Sequence, residues 1–380
     1  MSWSERLWSL LPGGAADQAA LAAGIAAHPA ARARALLELQ ERLRRLEALF
    51  EIDRIRTEEV DVAAVADYYA ACHDAYRKYH SAEGAVHMAL NEDGRFDASG
   101  FTGQLRRLEA GWAGQAPRDV LEIGFGQGFN LAWLATRHRD TRFTGVDLTP
   151  AHVALARARV AAAGLANVQL HEADLHQLPL PDASVDEVFA IEAFCHAIEL
   201  PRALAEVARV LRPGGRFVLF DAYQARPAPQ MEPELALAVE LVGRGMAVGR
   251  WQQHGEILQE AGRAGLVLQR EEALEALVMP SLQRIERVIR AVIRVPWLAR
   301  RALARRSAAR GRNVLAGYLM HPVTALGGLV YRHLVWSRPA SLQAAPLAGL
   351  TYAASAASGA SGASAASPAT SLPQVPGTSS

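Results

Sequence analysis

The sequence has few cysteines, almost no net charge and no leader-like segment, and each of these shortages excludes a class of protein. Its two cysteines, Cys72 and Cys195, cannot form a disulfide framework or a four-thiolate zinc site, so we expect no metal centre and a reducing, cytoplasmic setting. Forty Lys and Arg against thirty-nine Asp and Glu leave a formal charge of +1, so no chain-wide field recruits nucleic acid. The opening MSWSERLWSLLPGG has no basic segment before its apolar residues, so we expect no secretory signal.

Composition and periodicity divide the chain into four parts. Residues 341–380 are rich in Ala, Ser, Gly and Pro and have no charged residue, so we expect 340–380 to be a disordered tail. Leucines at 36, 39, 43, 46 and 49 share one helical face, which predicts a docking or dimerising helix, and hence a candidate homodimer, within an N-terminal helical extension over 1–60. A helical lid is predicted over 61–116 and the main domain over 117–339.

Strand-like and helical patterns alternate through the main domain. Short apolar runs lie at 119–123, 142–147, 167–171, 185–191 and 216–220, with helical patterns at 129–138, 150–163 and 201–211 between them. This order predicts an α/β, doubly wound, mostly parallel sheet with helices on both faces. Further strands are predicted at 266–270 and 329–336, separated by a mainly helical insertion at about 273–327.

A glycine-rich turn follows the first predicted strand. Glu122, Gly124, Gly126 and Gly128 form the pattern E-x-G-x-G-x-G, and such a turn lets the backbone approach a ligand closely. A dinucleotide turn would need a third glycine where this chain has Phe129. The observed spacing is the one that S-adenosylmethionine sites use. That ligand has no pyrophosphate, and Glu122 can help to hold its cationic amino group through ordered water.

Two further acidic residues follow later strands of the predicted sheet. Asp147, followed by Leu148, ends the second strand, where its carboxylate can accept hydrogen bonds from both ribose hydroxyls. Asp174 follows the third strand and can accept a hydrogen bond from the adenine amino group, while Leu175 donates its backbone N–H. We therefore predict that these four residues bind S-adenosyl-L-methionine with the glycine-rich turn.

With these motifs the chain resembles the class I, seven-stranded S-adenosylmethionine-dependent methyltransferases, closely over 118–221 and more loosely over 250–340. The segment LRPGGRF at 211–217 is a frequent turn of that family. The resemblance implies a seven-stranded sheet with an antiparallel pair at one edge and S-adenosyl-L-methionine as the cofactor. It also implies in-line displacement at the sulfonium methyl, for which the enzyme mainly positions the acceptor.

The segment 68–104 resembles the lid of the sterol, tocopherol and cyclopropane-fatty-acid methyltransferases, where a Tyr-rich helix leads into a His-x-Gly type of turn. The resemblance makes Tyr79 and His87 candidate catalytic residues and Gln104 a candidate for cofactor binding. The sequence departs from that pattern after His87, where Met-Ala replaces the glycine. The alternative is that the tyrosines of this segment form a helical packing face.

The segment IEAFCHA at 191–197 resembles the corresponding segment of sterol C-methyltransferases, with Phe194 in place of a small polar residue. Since it follows the fourth predicted strand, Glu192 would face the methyl donor and His196 would act as a base or orient the acceptor. The alternative is that His196 is a structural histidine. Cys195 is predicted to pack, because this chemistry needs no covalent intermediate.

An arginine-rich stretch marks the helical insertion. Residues 281–312 contain ten arginines and one acidic residue, Glu286, with apolar residues at helical spacing. This pattern predicts a basic amphipathic helix on an anionic membrane surface; a solvated cap helix is the main alternative, and contact with nucleic acid a weaker one. The uncharged stretch 314–331 is interrupted by Pro322 and by the pair Gly327 and Gly328, so we expect it to line an apolar pocket rather than span a membrane.

The leading interpretation is an enzyme that methylates a small apolar acceptor of lipid, prenyl, sterol-like or polyketide-like type. One alternative is an O- or N-methyltransferase of a polar metabolite, and another is a non-catalytic scaffold with the same fold. We expect a cytoplasmic protein with a small-molecule acceptor, no nucleic-acid partner and a candidate peripheral contact with membrane through 281–312. The sequence leaves open the acceptor and whether carbon, oxygen or nitrogen is methylated.

Overall fold

The computed structural model describes residues 29–340. The helical pattern before residue 29 and the predicted tail after residue 340 lie outside the described residues. The predicted boundaries between extension, lid and main domain stay predictions.

One seven-stranded sheet, in the order β3-β2-β1-β4-β5-β7-β6, forms the centre of the described chain. Its strands are β1 (Asp119–Ile123), β2 (Arg142–Asp147), β3 (Val168–Glu172), β4 (Val185–Ile191), β5 (Leu211–Gln224), β6 (Val267–Ala273) and β7 (Leu329–Ser337). β1 to β5 run parallel, and β7 is antiparallel to both β5 and β6. The predicted fold class is therefore confirmed. β5 extends beyond the predicted 216–220 because its pairing with β7 continues from Arg216 to Gln224.

Helices cover both faces of the sheet. They are α1 (Pro29–Glu47), α2 (Ile52–Thr57), α3 (Val62–Ala75), α4 (Gly103–Ala110), α5 (Phe129–Arg137), α6 (Pro150–Ala162), α7 (Leu200–Val210), α8 (Pro233–Gly245), α9 (His254–Arg263), α10 (Glu275–Ile293), α11 (Pro296–Leu303) and α12 (Ala308–Ala325). A π-helical turn, Tyr76–His80, continues α3. Alternate residues of β5 point to opposite faces of the sheet. Phe217 belongs to the apolar cluster with α7 and α9, and Val218 belongs to the cluster with α4 and α5.

Three helices, α10 to α12, occupy the predicted insertion between β6 and β7 and are called the cap here. The leucine stripe of α1 (Leu39, Leu43 and Leu46) is buried against α8 and α12 of the same chain. The structure therefore shows that this stripe docks α1 onto its own chain. Its three leucines are not available to a second subunit.

A buried ion cluster ties α1 to the cap. Glu286 of α10 lies 2.7 Å from Arg42 of α1 and also pairs with His321 of α12. Burial opposes ionisation of this carboxyl, but His321 and Arg42 hold its pKa down at about 2. The Glu286 carboxylate therefore stays ionised, and its two partners join three helices.

The arginines of the cap do not all face solvent, which corrects part of the predicted amphipathic pattern. Arg284 donates to the backbone oxygen of His80 over 3.0 Å and lies 4.3 Å from the ring centroid of Phe96. It faces the lid because its position on α10 adjoins the buried Leu282 and Ser281. Within residues 29–340, the helices are too short or too polar for any to cross a membrane, and 314–331 is divided between α12 and β7.

Replacing Leu46 tests the packing of α1. Leu46→Ala should lower the free energy of unfolding by about 2–5 kcal/mol, because it leaves a cavity at a side chain that is 0% exposed. Leu37→Ala on the same helix, at a side chain that is 65% exposed, should change it by less than about 0.5 kcal/mol. Urea denaturation followed by circular dichroism measures both, and equal effects would contradict the packing of α1.

Candidate functional site

A small cavity lies at the carboxyl ends of β1, β2 and β4 and is called the donor cavity here. Its volume is about 80 Å³. Four predicted cofactor residues line it, namely Gly124, Gly126, Asp147 and Asp174. They come from three separate loops. Leu148 and Leu175 line it as well. The parallel sheet thus brings together residues that are up to fifty positions apart in the chain.

The glycine-rich turn forms one wall of the donor cavity. Gly124 and Gly126 have φ of +73° and +54°, a region that residues with a Cβ rarely adopt. A Cβ at Gly124 would lie 2.3 Å from the Cβ of Ala193. Gly128 does not line the cavity, and a Cβ there would lie 2.8 Å from Ala156 of α6. This glycine therefore permits helix packing, and its part in cofactor binding stays a prediction.

Asp147 is anchored by the two loops beside it. Its Oδ2 accepts the backbone N–H of Gly126 over 2.7 Å, and its Oδ1 accepts that of Thr149 over 2.8 Å. A carboxylate oxygen accepts more than one hydrogen bond, so both oxygens can still accept ribose hydroxyls. Asp174, in contrast, is more exposed and accepts from His176 Nδ1 over 2.6 Å.

Glu122 is fully buried next to the glycine-rich turn and does not itself line the donor cavity. Its Oε1 accepts from Asn130 Nδ2 over 2.7 Å, whereas its Oε2 has no partner among the described residues. Burial raises the pKa of Glu122 to about 8. A buried carboxyl with an unused oxygen fits a nearby cation, and a cation would favour its ionised form.

A larger cavity of about 260 Å³ lies between the cap, the lid and the ends of β4, β5 and β7, and is called the acceptor cavity here. Apolar side chains of the cap form much of its wall: Val278, Leu282, Ile285, Val288, Ile289, Val314 and Met320. Residues 314, 317, 320 and 324 line it from α12, in agreement with the predicted pocket-lining role of that stretch. The two cavities share four lining residues: Tyr69, Val86, Glu192 and His196.

Glu192 occupies a strained position where the two cavities meet. It has φ of +52°, a conformation that costs a non-glycine residue about 1–2 kcal/mol. Its Oε1 accepts the backbone N–H of Met88 over 2.7 Å and the hydroxyl of Tyr331 over 2.9 Å. Burial raises the pKa of Glu192 to about 8 and that of the neighbouring Asp221 to about 7.

His196 and Tyr69 form a hydrogen-bonded pair beside Glu192. His196 Nδ1 donates to the backbone oxygen of Ala247 over 3.1 Å, so in the neutral ring Nε2 accepts from the Tyr69 hydroxyl at 2.9 Å. Burial lowers the pKa of His196 to about 4 and raises that of Tyr69 well above its usual value. Both groups are therefore neutral at physiological pH.

Two predicted residues, His87 and Gln104, lie elsewhere than expected. His87 lines neither cavity; its Nε2 donates to Asn130 Oδ1 over 3.1 Å, so it supports Asn130 rather than meeting the acceptor. Gln104 also lies outside both cavities and donates to the backbone oxygen of Met88. Tyr79 does line the acceptor cavity, at its exposed edge.

The sequence patterns missed Tyr69, Asp221 and Tyr331 as site residues. Asp221 directly follows the predicted fifth strand, so an acidic residue at that strand end was a usable signal. Tyr331 lies on β7, more than one hundred residues from Glu192, and no local pattern marks it. Cys195 lines the acceptor cavity, and its backbone N–H donates to Asp221 Oδ2 over 2.9 Å.

Comparison with known proteins agrees with this geometry. A family model described as "Methyltransferase domain" matches residues 121–219. The S-adenosyl-L-methionine-dependent Diels-Alderase of Talaromyces variabilis is 33% identical over 221 residues, 54% of this chain and 75% of that protein. The fatty-acid O-methyltransferase of Mycolicibacterium smegmatis is 38% identical over 133 residues, 35% of this chain and 47% of that protein. The chain thus spans about half the length of the second relative.

A solved structure shows the same fold. The cyclopropane synthase of Mycobacterium tuberculosis superposes with a TM-score of 0.61 at 16% identity, covering 73% of this chain and 98% of that one. The strand order, the glycine-rich turn and the strand-end acids define a Rossmann-like, S-adenosylmethionine-binding protein. The chain belongs to the class I S-adenosylmethionine-dependent methyltransferase family.

The cofactor is S-adenosyl-L-methionine, and the residues of the donor cavity fit it. We propose that Asp147 binds the ribose hydroxyls and that Glu122, whose Oε2 has no partner among the described residues, holds the amino group through ordered water. Gly124 and Gly126 leave room where a Cβ would stand. We propose likewise that Asp174 and Leu175, which also line the cavity, contact the adenine.

Asp147→Ala should weaken S-adenosylmethionine binding about ten- to a hundredfold, because it removes hydrogen bonds to a charged group worth ~1.5–3 kcal/mol. Isothermal titration calorimetry measures the affinity, and circular dichroism checks the fold. Asp140→Ala, at an exposed position of the same domain, is the control. Unchanged affinity in a folded Asp147→Ala protein would contradict the ribose contact.

The affinity for S-adenosylmethionine should also rise with pH below pH 8. Glu122, with a pKa of about 8, is largely protonated at pH 7, and binding of a cation must release that proton. The association constant should increase by up to about tenfold per pH unit below that pKa. Glu122→Gln should flatten this dependence, and a slope that survives in the variant would assign the proton to another group.

Proposed function

We propose that this protein transfers a methyl group from S-adenosylmethionine to a small apolar acceptor of lipid or prenyl type. The observation that carries the proposal is the junction of the donor and acceptor cavities at Tyr69, Val86, Glu192 and His196. Methyl transfer requires the acceptor atom and the methyl group to be in line and in contact. A junction between two cavities allows this while the rest of each ligand stays apart.

The walls of the acceptor cavity support an apolar acceptor. Burial of an apolar molecule against the cap side chains is favourable by about 25 cal/mol per Å². A polar metabolite would lose its hydrogen bonds to water there without replacement along most of its surface. A relative named as a fatty-acid O-methyltransferase is consistent with this class of acceptor.

The polar groups at the junction are suited to the charge that the acceptor gains. When a methyl cation equivalent reaches the acceptor, that molecule must lose a proton or carry a positive charge. Glu192 is the carboxyl at this point, and Tyr331 and the Met88 N–H fix its orientation. His196 and Tyr69 provide a second, neutral pair that can accept or pass on a proton.

A second candidate is a cycloaddition in which S-adenosylmethionine stays intact. The specific observation in its favour is that a relative matched over 75% of its length is named a Diels-Alderase. A mainly apolar cavity suits such a reaction, because it needs a folded substrate and no methyl transfer.

Methyl-labelled S-adenosylmethionine, supplied with either a lipid extract or a polar extract, tests these alternatives. Methyl transfer to an apolar acceptor places the label in the lipid-soluble product. Label in water-soluble product only would favour the polar-metabolite alternative. Cofactor binding without any transfer of label would favour the cycloaddition or the scaffold.

Two variants test the junction in the same assay. Glu192→Gln and His196→Ala should each lower turnover about a hundredfold, as expected for loss of a group that handles a proton, while the affinity for the cofactor changes little. Glu199→Gln, at an exposed neighbouring position, is the matched control. A parallel loss of cofactor affinity and turnover would show that the two residues are structural.

A further inference from the structure

We propose that α11 and the turns on either side of it form a docking surface for an anionic lipid bilayer, beside the acceptor cavity. The surface consists of Arg294, Val295, Trp297, Arg301 and Arg305 and is called the α11 surface here. It rests on the proposed function in one respect only: an apolar acceptor would enter the cavity from that bilayer.

The two faces of α11 have different surroundings. Ala299, Ala302 and Leu303 line the acceptor cavity. Trp297 and Arg301, four positions apart and therefore on one side of the helix, are both exposed. Helix α11 is thus a single layer between the cavity and the surface, so whatever binds its outer side is one helix away from the cavity.

Trp297 is the apolar part of the surface. It is 69% exposed, more than any other large apolar side chain in residues 29–340, and Val295 beside it is 37% exposed. Leaving an indole in water is unfavourable, whereas the interface between lipid and water is where tryptophan is enriched in membrane-bound proteins. The exposure of Trp297 therefore favours a partner that offers an interface between an apolar region and water.

The charge around Trp297 is of one sign. Residues 287–312 contain nine arginines and no acidic residue. Arg290, Arg310 and Arg312 pair with acidic side chains elsewhere in the fold. Within the described part of the chain, none of the three arginines of the α11 surface has an acidic side chain within ion-pair distance, and all three are exposed.

A bilayer accounts for both properties of the surface. Anionic headgroups attract the arginines, and the boundary between headgroups and acyl chains receives Trp297 and Val295. A nucleic acid would satisfy the arginines alone and leave Val295 in water. The formal charge of the whole chain is only +1, so the attraction is confined to this surface.

Vesicle flotation of the full-length protein tests the proposal. Phosphatidylcholine vesicles with added phosphatidylglycerol should bind the wild type, with binding that weakens as salt is added, and pure phosphatidylcholine vesicles should bind it far less. Arg301→Gln with Arg305→Gln should lower the partition coefficient about twenty-fivefold, since each arginine near an anionic surface contributes about fivefold. Trp297→Ala should reduce binding even at low salt.

Matched controls separate the α11 surface from exposed residues in general. Arg139→Gln with Arg202→Gln removes two exposed charges elsewhere, and Leu37→Ala removes another exposed apolar side chain; neither protein should lose binding. Wild type that ignores anionic vesicles, or controls that lose as much binding as the α11 variants, would overturn the proposal. The proposal would also be overturned if double-stranded DNA competed with the vesicles for the protein and still bound the Trp297→Ala variant, because a nucleic acid would then be the partner of the arginines.

The readout is independent of methyl transfer. A protein that binds anionic vesicles through α11 but labels no acceptor would contradict the proposed function and leave docking intact. A protein that methylates a detergent-dispersed acceptor but binds no vesicles would support the proposed function and contradict docking.

Discussion

The loops after β1 and β4 approach each other so closely that only glycine fits at position 124, and the rest of the site depends on this contact. A Cβ there would lie 2.3 Å from that of Ala193, a distance that no packing can relieve without moving one loop. The residue before Ala193, Glu192, has a left-handed conformation with φ of +52°. Such strain persists only where the surroundings over-determine it. Here the N–H of Cys195, which binds Asp221, helps to hold the loop, and the Glu192 carboxyl is directed to where the cavities meet.

The lid connects that carboxyl to the cap. The backbone N–H of Met88 binds Glu192, and the next residue, Ala89, exchanges hydrogen bonds with the Ser281 hydroxyl of α10. The same stretch of lid thus contacts the junction on one side and the cap on the other. Because the cap also forms the apolar wall, a movement of α10 would change the acceptor cavity and the setting of Glu192 together.

The donor cavity indicates the family of the protein, whereas the acceptor cavity bears on which reaction it performs. Residues at the ends of parallel strands line the donor cavity, and their pattern is the one that identifies the family. Relatives of this chain are named for methyl transfer and for a Diels-Alder reaction, which shows that the fold alone does not select the reaction. In the proposed function that selection depends on the cap and the lid, whose residues line the acceptor cavity.

The sequence by itself determined the fold and most of the donor cavity, because both follow from local patterns. Alternating strand and helix signals place Gly124 and Asp147 at the same sheet edge without knowledge of any long-range contact. The segment after the fourth strand also predicts Glu192 and His196, but only the tertiary structure decided that Tyr69 and Tyr331 join Glu192, from elements that are more than one hundred residues apart. It likewise turned His87 away from the cavities and Arg284 into the lid. Periodicity reports which side of an element is apolar, but the partner of each side is set by packing between distant segments, which leaves no local signal in the sequence.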